Sequence, residues 1–292
     1  MEEIPPPRVL DLACGNGTWM LEMATEFQNT HFYGLDISPN YPTSIKPPNA
    51  LFMQYDILSP KGLPFPNNYF DFVFMRQVYT CFSRSDWTIV VEEIKRIVKP
   101  GCYVEFRDID PILKNMGPKT HNLFEKYPEY MKERYDVDID WAKSMYDYLQ
   151  QVGEMTDMQS AVRDLRCGKS GPISHMMNNS LKSGLHSYRF FFQKNYNISP
   201  KEYDRRVNEI VDESVEYQSY FNYYACWGRK TLCDYNSPSE MLPLTNITKL
   251  DKDHRPSTSN TKNNDAPLPE NDHVFGQDSV SDINEFIEGY EE

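Results

Sequence analysis

The sequence has no apolar run approaching the roughly 18 consecutive residues of a helical membrane span, so no segment reads as bilayer-crossing. Its first residues, Met1-Glu2-Glu3-Ile4-Pro5-Pro6-Pro7, have neither the basic flank nor the apolar centre of a secretory signal. An intracellular address, cytoplasmic or nuclear, is the expectation. The six cysteines (Cys14, Cys81, Cys102, Cys167, Cys226 and Cys233) include no Cys-x-x-Cys pair, which excludes a zinc-ligand pattern and a disulfide framework. They read as reduced thiols, mostly buried, and no metal is expected. Positive charge is scarce: 30 Lys and Arg face 43 Asp and Glu, for a net charge of -13. Most of the deficit lies from Leu232 onward, where 13 acidic residues meet 4 basic ones. The near-neutral remainder offers no basic stripe for nucleic acid.

With 39% hydrophobic residues in 292, the chain supports one α/β domain with an appendage. Residues 8–108 alternate short apolar runs with helical patterns, the signature of βαβ units and a parallel sheet. Arg8–Leu12, His31–Asp36, Ala50–Tyr55, Phe70–Met75 and Cys102–Arg107 read as strands. Thr18–Phe27 reads as a helix with Met20, Met23, Ala24 and Phe27 on one face. Ser85 is the expected N-cap of a helix over Asp86–Lys99, with Ile89, Val90, Ile94, Ile97 and Val98 as its buried stripe and Pro100-Gly101 as its stop. Further helices are expected near Thr120–Arg134, Ile139–Val152 and Ile173–Gln193, and from Ser199-Pro200 to Val215. Met158–Arg166 and Glu216–Trp227 are the last two strands. The domain therefore spans residues 8–231, with a recognisable core at 8–108 and helical additions at 109–156 and 167–215. Residues 232–292, rich in Ser, Asn, Asp, Pro and Thr, are expected to be a disordered acidic tail.

The sharpest local feature is Val9-Leu10-Asp11-Leu12-Ala13-Cys14-Gly15-Asn16-Gly17-Thr18, a strand running into a glycine-punctuated turn and then a helix. Gly15 and Gly17 let a ligand approach the backbone closely, although a Gly-x-Gly alone also fits a plain structural turn. Asp36 closes the second strand nineteen residues after Gly17, where a carboxylate can accept hydrogen bonds from both hydroxyls of a ribose. Asp56 closes the third strand, at the height of an adenine amino group. Either acid alone reads more readily as a loop start or a helix cap. Together with the glycines they form one nucleoside-shaped site beyond the carboxyl ends of three strands.

A nicotinamide dinucleotide is disfavoured, because Met20 occupies the position of the third glycine that packs the helix under a pyrophosphate. A P-loop is excluded by the lack of Gly-Lys-Ser/Thr. These residues resemble the class I S-adenosylmethionine-dependent methyltransferases. The similarity runs from the Val9–Thr18 segment through Asp36, Asp56, Leu63-Pro64-Phe65-Pro66-Asn67-Asn68-Tyr69-Phe70-Asp71-Phe72-Val73 and Val98-Lys99-Pro100-Gly101-Cys102-Tyr103, covering residues 8–108. It implies a Rossmann-like seven-stranded sheet in the order 3-2-1-4-5-7-6, with helical insertions before an antiparallel last strand. It also implies S-adenosylmethionine as cofactor, held by Asp11, Ala13, Gly15, Asn16 and Gly17 at the first loop, Asp36 and Ile37 at the second strand, and Asp56 and Ile57 at the third. Gly15 and Gly17 would lie beside the methionine part, Asp36 on the ribose, and Asp56 with Ile57 near adenine, while Asp11 would brace the loop or reach the amino group. More narrowly, the helical insertion and Tyr224-Ala225-Cys226-Trp227-Gly228-Arg229-Lys230 are similar to fungal methyltransferases related to the velvet-complex regulators of secondary metabolism. The pattern departs from the family at Cys102, where a second glycine is common. It also departs ahead of the first strand, where a covering helical segment is usual and seven residues precede Arg8. Either the chain is truncated or its site is more open.

No catalytic residue follows from spacing, since methyl transfer needs a base only when the nucleophile is protonated. Arg76 and Gln77 end the fourth strand and either line the acceptor pocket or serve the surface. His121, His175 and His186 lie in the helical additions, where ordinary partly buried histidines are the commoner outcome. Tyr188-Arg189-Phe190-Phe191-Phe192 reads as core more readily than as a cap over an apolar substrate. In the tail, Val280, Ile283, Ile287 and Tyr290 recur at helical steps, a spacing that suits docking on a protein partner as well as unfolded filler. The expectation is a methyltransferase acting on an unidentified small-molecule or protein acceptor, without membrane or nucleic acid. The alternative is a scaffold of the same fold that works by partner binding.

Overall fold

The structure is a computed structural model that describes residues 5–232. Nearly all of the acidic tail, including the Val280 to Tyr290 pattern, therefore lies outside the described residues. Seven strands make one sheet in the order β3-β2-β1-β4-β5-β7-β6. They are β1 (Arg8–Leu12), β2 (His31–Asp36), β3 (Ala50–Gln54), β4 (Phe70–Arg76), β5 (Val98–Ile109), β6 (Met155–Arg166) and β7 (Tyr220–Lys230). The first five run parallel, while β7 pairs antiparallel with both β5 and β6. This is the order expected from the sequence. The central strands read as continuous apolar runs because helices cover them: Leu10, Leu12, Val73 and Val104 are fully buried.

Helix α1 (Thr18–Glu26) packs over β2 and β3, burying Met20 and Ala24 but leaving Phe27 in solvent. On the opposite face, α2 (Arg84–Ile97) and α5 (Trp141–Gln151) lie over the sheet from β5 outward. Their Trp87 and Trp141 rings stack with centroids 3.3 Å apart and planes within 6°. A second core forms where α3 (Pro118–Phe124), α4 (Tyr127–Tyr135), α6 (Pro172–Ser187), α7 (Arg189–Tyr196) and α8 (Pro200–Glu216) converge. It gathers Leu123, Tyr127, Phe192, Tyr203 and Val207 with Phe221 at the start of β7. Because β7 runs antiparallel to β5, this helical cap sits beyond the carboxyl ends of the parallel strands, on the side where a ligand of this fold binds.

The structure moves several expected boundaries. The cap of α2 is Ser83: its hydroxyl accepts from the Asp86 N–H at 3.3 Å, while Asp86 accepts the Ser83 N–H at 2.9 Å. This reciprocal box outcompetes Ser85, which lies inside the first turn and touches the Ser83 hydroxyl. The buried stripe of α2 holds Trp87, Val90, Val91, Ile94 and Ile97, whereas Ile89 faces solvent. The helix stops at Ile97 because Val98 is already extended and begins β5, four residues ahead of the expected strand start. The expected helix over residues 120–134 is two helices, and that over 173–193 breaks between Ser187 and Arg189. The segment from Glu216 is still helical: Gln218 at φ 51° turns the chain, and β7 begins at Tyr220. Among the five described cysteines, Cys167 and Cys226 are buried, Cys14 and Cys102 are half-buried and Cys81 is exposed. Among the described residues no helix is long and apolar enough to cross a membrane.

The cap is tied together by a carboxylate that no local pattern reveals. Glu213, on α8, accepts the N–H groups of Lys119 at 3.0 Å and Thr120 at 2.7 Å, and the Thr120 hydroxyl at 2.7 Å, at the N-terminus of α3. Burial alone would raise its pKa, but these hydrogen bonds hold it below the ordinary glutamate value of 4.5. A carboxyl depressed on folding contributes stability above its unfolded pKa and loses that contribution as pH falls through the folded value. Glu213→Gln should therefore destabilise the protein by about 1–2 kcal/mol at neutral pH. The difference from wild type, read by urea unfolding across a pH series, should shrink below the unfolded glutamate pKa; a pH-independent difference would disprove the assignment.

Candidate functional site

The loop after β1 turns on backbone that most residues avoid. Gly15 (φ 57°) and Gly17 (φ 76°) are left-handed, and so is Ala13 at φ 61°. A side chain on Gly17 would collide with the ring of Phe52 on β3, so the glycine is required by packing as well as by φ. Gly34 on β2 completes the fit: a Cβ there would lie 2.8 Å from the Met20 sulfur, 2.8 Å from Phe52 and 3.0 Å from the Cys14 sulfur. Met20 thus fills, from α1, space that Gly34 leaves open. Above Gly15 the reverse holds, for nothing lies within 4 Å of a Cβ built there. The Asn16 side-chain Oδ1 accepts from the Thr18 N–H at 3.2 Å and the Thr18 hydroxyl at 2.6 Å, which steadies the start of α1.

Asp36 stands beside this opening. Its carboxylate accepts the Gly15 N–H at 2.8 Å and the Ser38 N–H at 2.9 Å, which locks the ends of β1 and β2 together. Ile37 follows with its side chain 64% exposed at the rim. Asp56 is exposed at the end of β3 and accepts the Leu58 N–H at 2.9 Å. The Ile57 side chain is buried in the main core, so its backbone is what faces the position expected for adenine. Asp11 is buried behind the loop. Burial chiefly, and Asp36 secondarily, push its carboxyl up to about 7 against the opposing pull of Arg76.

At the end of β4, next to β1 in the sheet, Gln77 is left-handed at φ 55° and donates its N–H to the Arg107 carbonyl at 2.9 Å. Asp108, fully buried on β5, accepts the Val78 N–H at 2.9 Å and the Ile109 N–H at 2.8 Å. Burial pushes this carboxyl up to about 7 while those N–H groups restrain the rise. Nothing in the local sequence marks Asp108, since its role depends on a partner thirty residues away. Tyr79 then packs against both cores. The histidines stand apart: His121 and His175 are exposed, and His186 joins Arg189 and Asp204 in a surface network. Phe191 and Phe192 are core, whereas Phe190 points into solvent.

Chemically, the arrangement fits a nucleoside. Exposed glycine backbone, a carboxylate with further lone pairs, an exposed apolar rim and a third-strand carboxylate lie along one edge of the sheet. Among the described residues no group of three or more His, Cys, Asp or Glu is placed to hold a metal.

Comparison with known proteins points the same way. Residues 9–101 match the family model described as a methyltransferase domain. The chain is 25% identical over 189 residues to methyltransferase str3 of Strobilurus tenacellus, covering 62% of this chain and 66% of that one. It is 34% identical over 106 residues to the secondary metabolism regulator LAE1 of Cochliobolus heterostrophus, covering 36% of this chain and 33% of that one. It is 21% identical over 240 residues to the N-methyltransferase gliN of Aspergillus fumigatus, covering 77% and 83%. The chain thus spans from a third to about two thirds of the length of the first two relatives.

The left-handed alanine leads to a direct test. Ala13→Gly removes the steric penalty of φ 61° and should stabilise the fold by about 0.5–1 kcal/mol, or roughly 2–3 °C in Tm. Thermal unfolding reads this, and a lowered Tm would mean that the Ala13 methyl packs more favourably than its backbone suffers.

Proposed function

We propose that this chain, a member of the class I S-adenosylmethionine-dependent methyltransferases, transfers the methyl group of S-adenosylmethionine to a nucleophile on a small molecule or a protein. The observation that carries this reading is the left-handed glycine loop, clear of protein atoms above Gly15, with the Asp36 carboxylate bonded to the Gly15 N–H at its edge. When bound, S-adenosylmethionine supplies an electrophilic methyl group on a sulfonium, displaced in line by the acceptor. The chain's part is to bind, align and exclude water. Asp36 accepts from the ribose hydroxyls, Gly15 and Gly17 leave room for the methionine portion, and Asn16 with Ala13 shapes the loop. Ile37 and the Ile57 backbone border the adenine, Asp56 accepts from its amino group, and Asp11 braces the loop from behind.

The acceptor side is the loop after β4, held in place by Asp108, with the helical cap above it. No described side chain there is committed to proton transfer, which suits a displacement where positioning supplies most of the rate. Good alignment alone is worth about 7–11 kcal/mol.

Calorimetric titration with S-adenosylmethionine and S-adenosylhomocysteine tests the reading. Binding in the micromolar range is expected, weakened at least about tenfold by Asp36→Ala, a loss of about 1.4 kcal/mol or more. A nicotinamide dinucleotide should not bind. Gly15→Ala meets no protein atom and costs only the roughly 1 kcal/mol of a left-handed alanine, so the protein should still fold while binding is lost. Absence of binding by the folded protein would overturn the enzyme reading and favour a scaffold of the same fold.

A further inference from the structure

The two faces of the sheet are covered unequally. On one, α2 and α5 bury Val104, Phe106 and Cys226. On the other, α1 covers β2 and β3, its Trp19 stacks on Phe74 of β4 at 4.0 Å, and α6 reaches β6. Between them no described helix crosses the middle of β5 and β7. Paired residues of neighbouring strands share a face, so this open side carries Tyr103, Glu105 and Arg107 opposite Arg229, Trp227 and Ala225. Tyr103 is 45% exposed and Trp227 is half-buried. Arg229 lies 5.6 Å over the Tyr103 ring and Arg107 lies 5.6 Å over Phe74. The surface is aromatic at its base and guanidinium-rich at its rim. With Arg163 of β6 it holds three arginines against the carboxylates of Glu105 and Asp157.

One segment of this chain has the complementary chemistry. Residues 278–292 contain six acidic and no basic residues, with Val280, Ile283, Ile287 and Tyr290 at steps of three and four. The chain also leaves β7 at the right place: Leu232 lies 2.9 Å from where a Cβ on Gly101 would be, at the Tyr103 end of β5. From there 47 residues precede Val280. Even at random-coil dimensions a chain of that length spans roughly 35–40 Å, well beyond the ~14 Å across four strands. We propose that residues 278–292 dock on their own domain across the open face of β5 and β7. The apolar stripe meets Tyr103 and Trp227, and the carboxylates face Arg107, Arg163 and Arg229. This intramolecular cover is independent of the methyl-transfer reading.

The test uses the full chain with Tyr103 replaced by photoreactive benzoylphenylalanine, and a control with the same replacement at Ile89, exposed on α2 over the opposite face. Equal parts of light and nitrogen-15 protein are mixed, irradiated and mapped by mass spectrometry. The expected result is an adduct from position 103 to residues 278–292 of the same chain, at least about fivefold above the Ile89 control, as tethering to a specific site predicts. Ile283→Asp with Ile287→Asp should remove most of it while Tm stays unchanged. Equal yields from both positions would mean chance collision, adducts joining light to heavy chains would assign the face to a second copy, and no adduct would leave it to another partner. Each of these overturns the proposal.

Discussion

The site depends on how volume is exchanged beneath the glycine loop. Phe52 from β3, Met20 from α1 and the Cys14 sulfur converge on ground left free by Gly17 and Gly34. That interlock sets the height of the loop above the sheet, and the Asp36 carboxylate fixes its sideways position through the Gly15 N–H. Met20 makes the arrangement particular to this chain. A glycine at its position would leave a void between helix and sheet, and the buried Met closes it while forbidding the close helix approach that a pyrophosphate site uses.

A second constraint sits at β4 and β5. Asp108 gives up solvation to hold the Val78 and Ile109 N–H groups, so the turn that follows β4 is fixed by a neighbouring strand. Tyr79, carried by that turn, reaches both cores. The helical cap is anchored separately by Glu213 on the N-terminus of α3. The sheet and the cap thus meet at the edge where acceptor and cofactor would come together.

The sheet order was legible in the sequence through the resemblance carried by residues 8–108, and the acids and glycines expected beside a nucleoside do stand at three neighbouring strand ends. Glycine spacing, strand-terminal acids and apolar runs are local signals, and a parallel α/β sheet places such signals along one edge. The sequence also distinguished the core aromatics Phe191 and Phe192 from catalytic candidates, although Phe190 beside them faces solvent. Tertiary structure alone decided the rest, because it turns on partners far apart in the chain. Ser83 prevailed over Ser85 through a reciprocal bond with Asp86, and the Ile57 side chain joined the main core. The left-handed strain at Ala13 and Gln77, the bond from the Val78 N–H to Asp108 and the face of β5 and β7 that no described helix covers carry no signature in spacing or composition. Each arises from what a neighbouring strand or helix does or does not place against the residue.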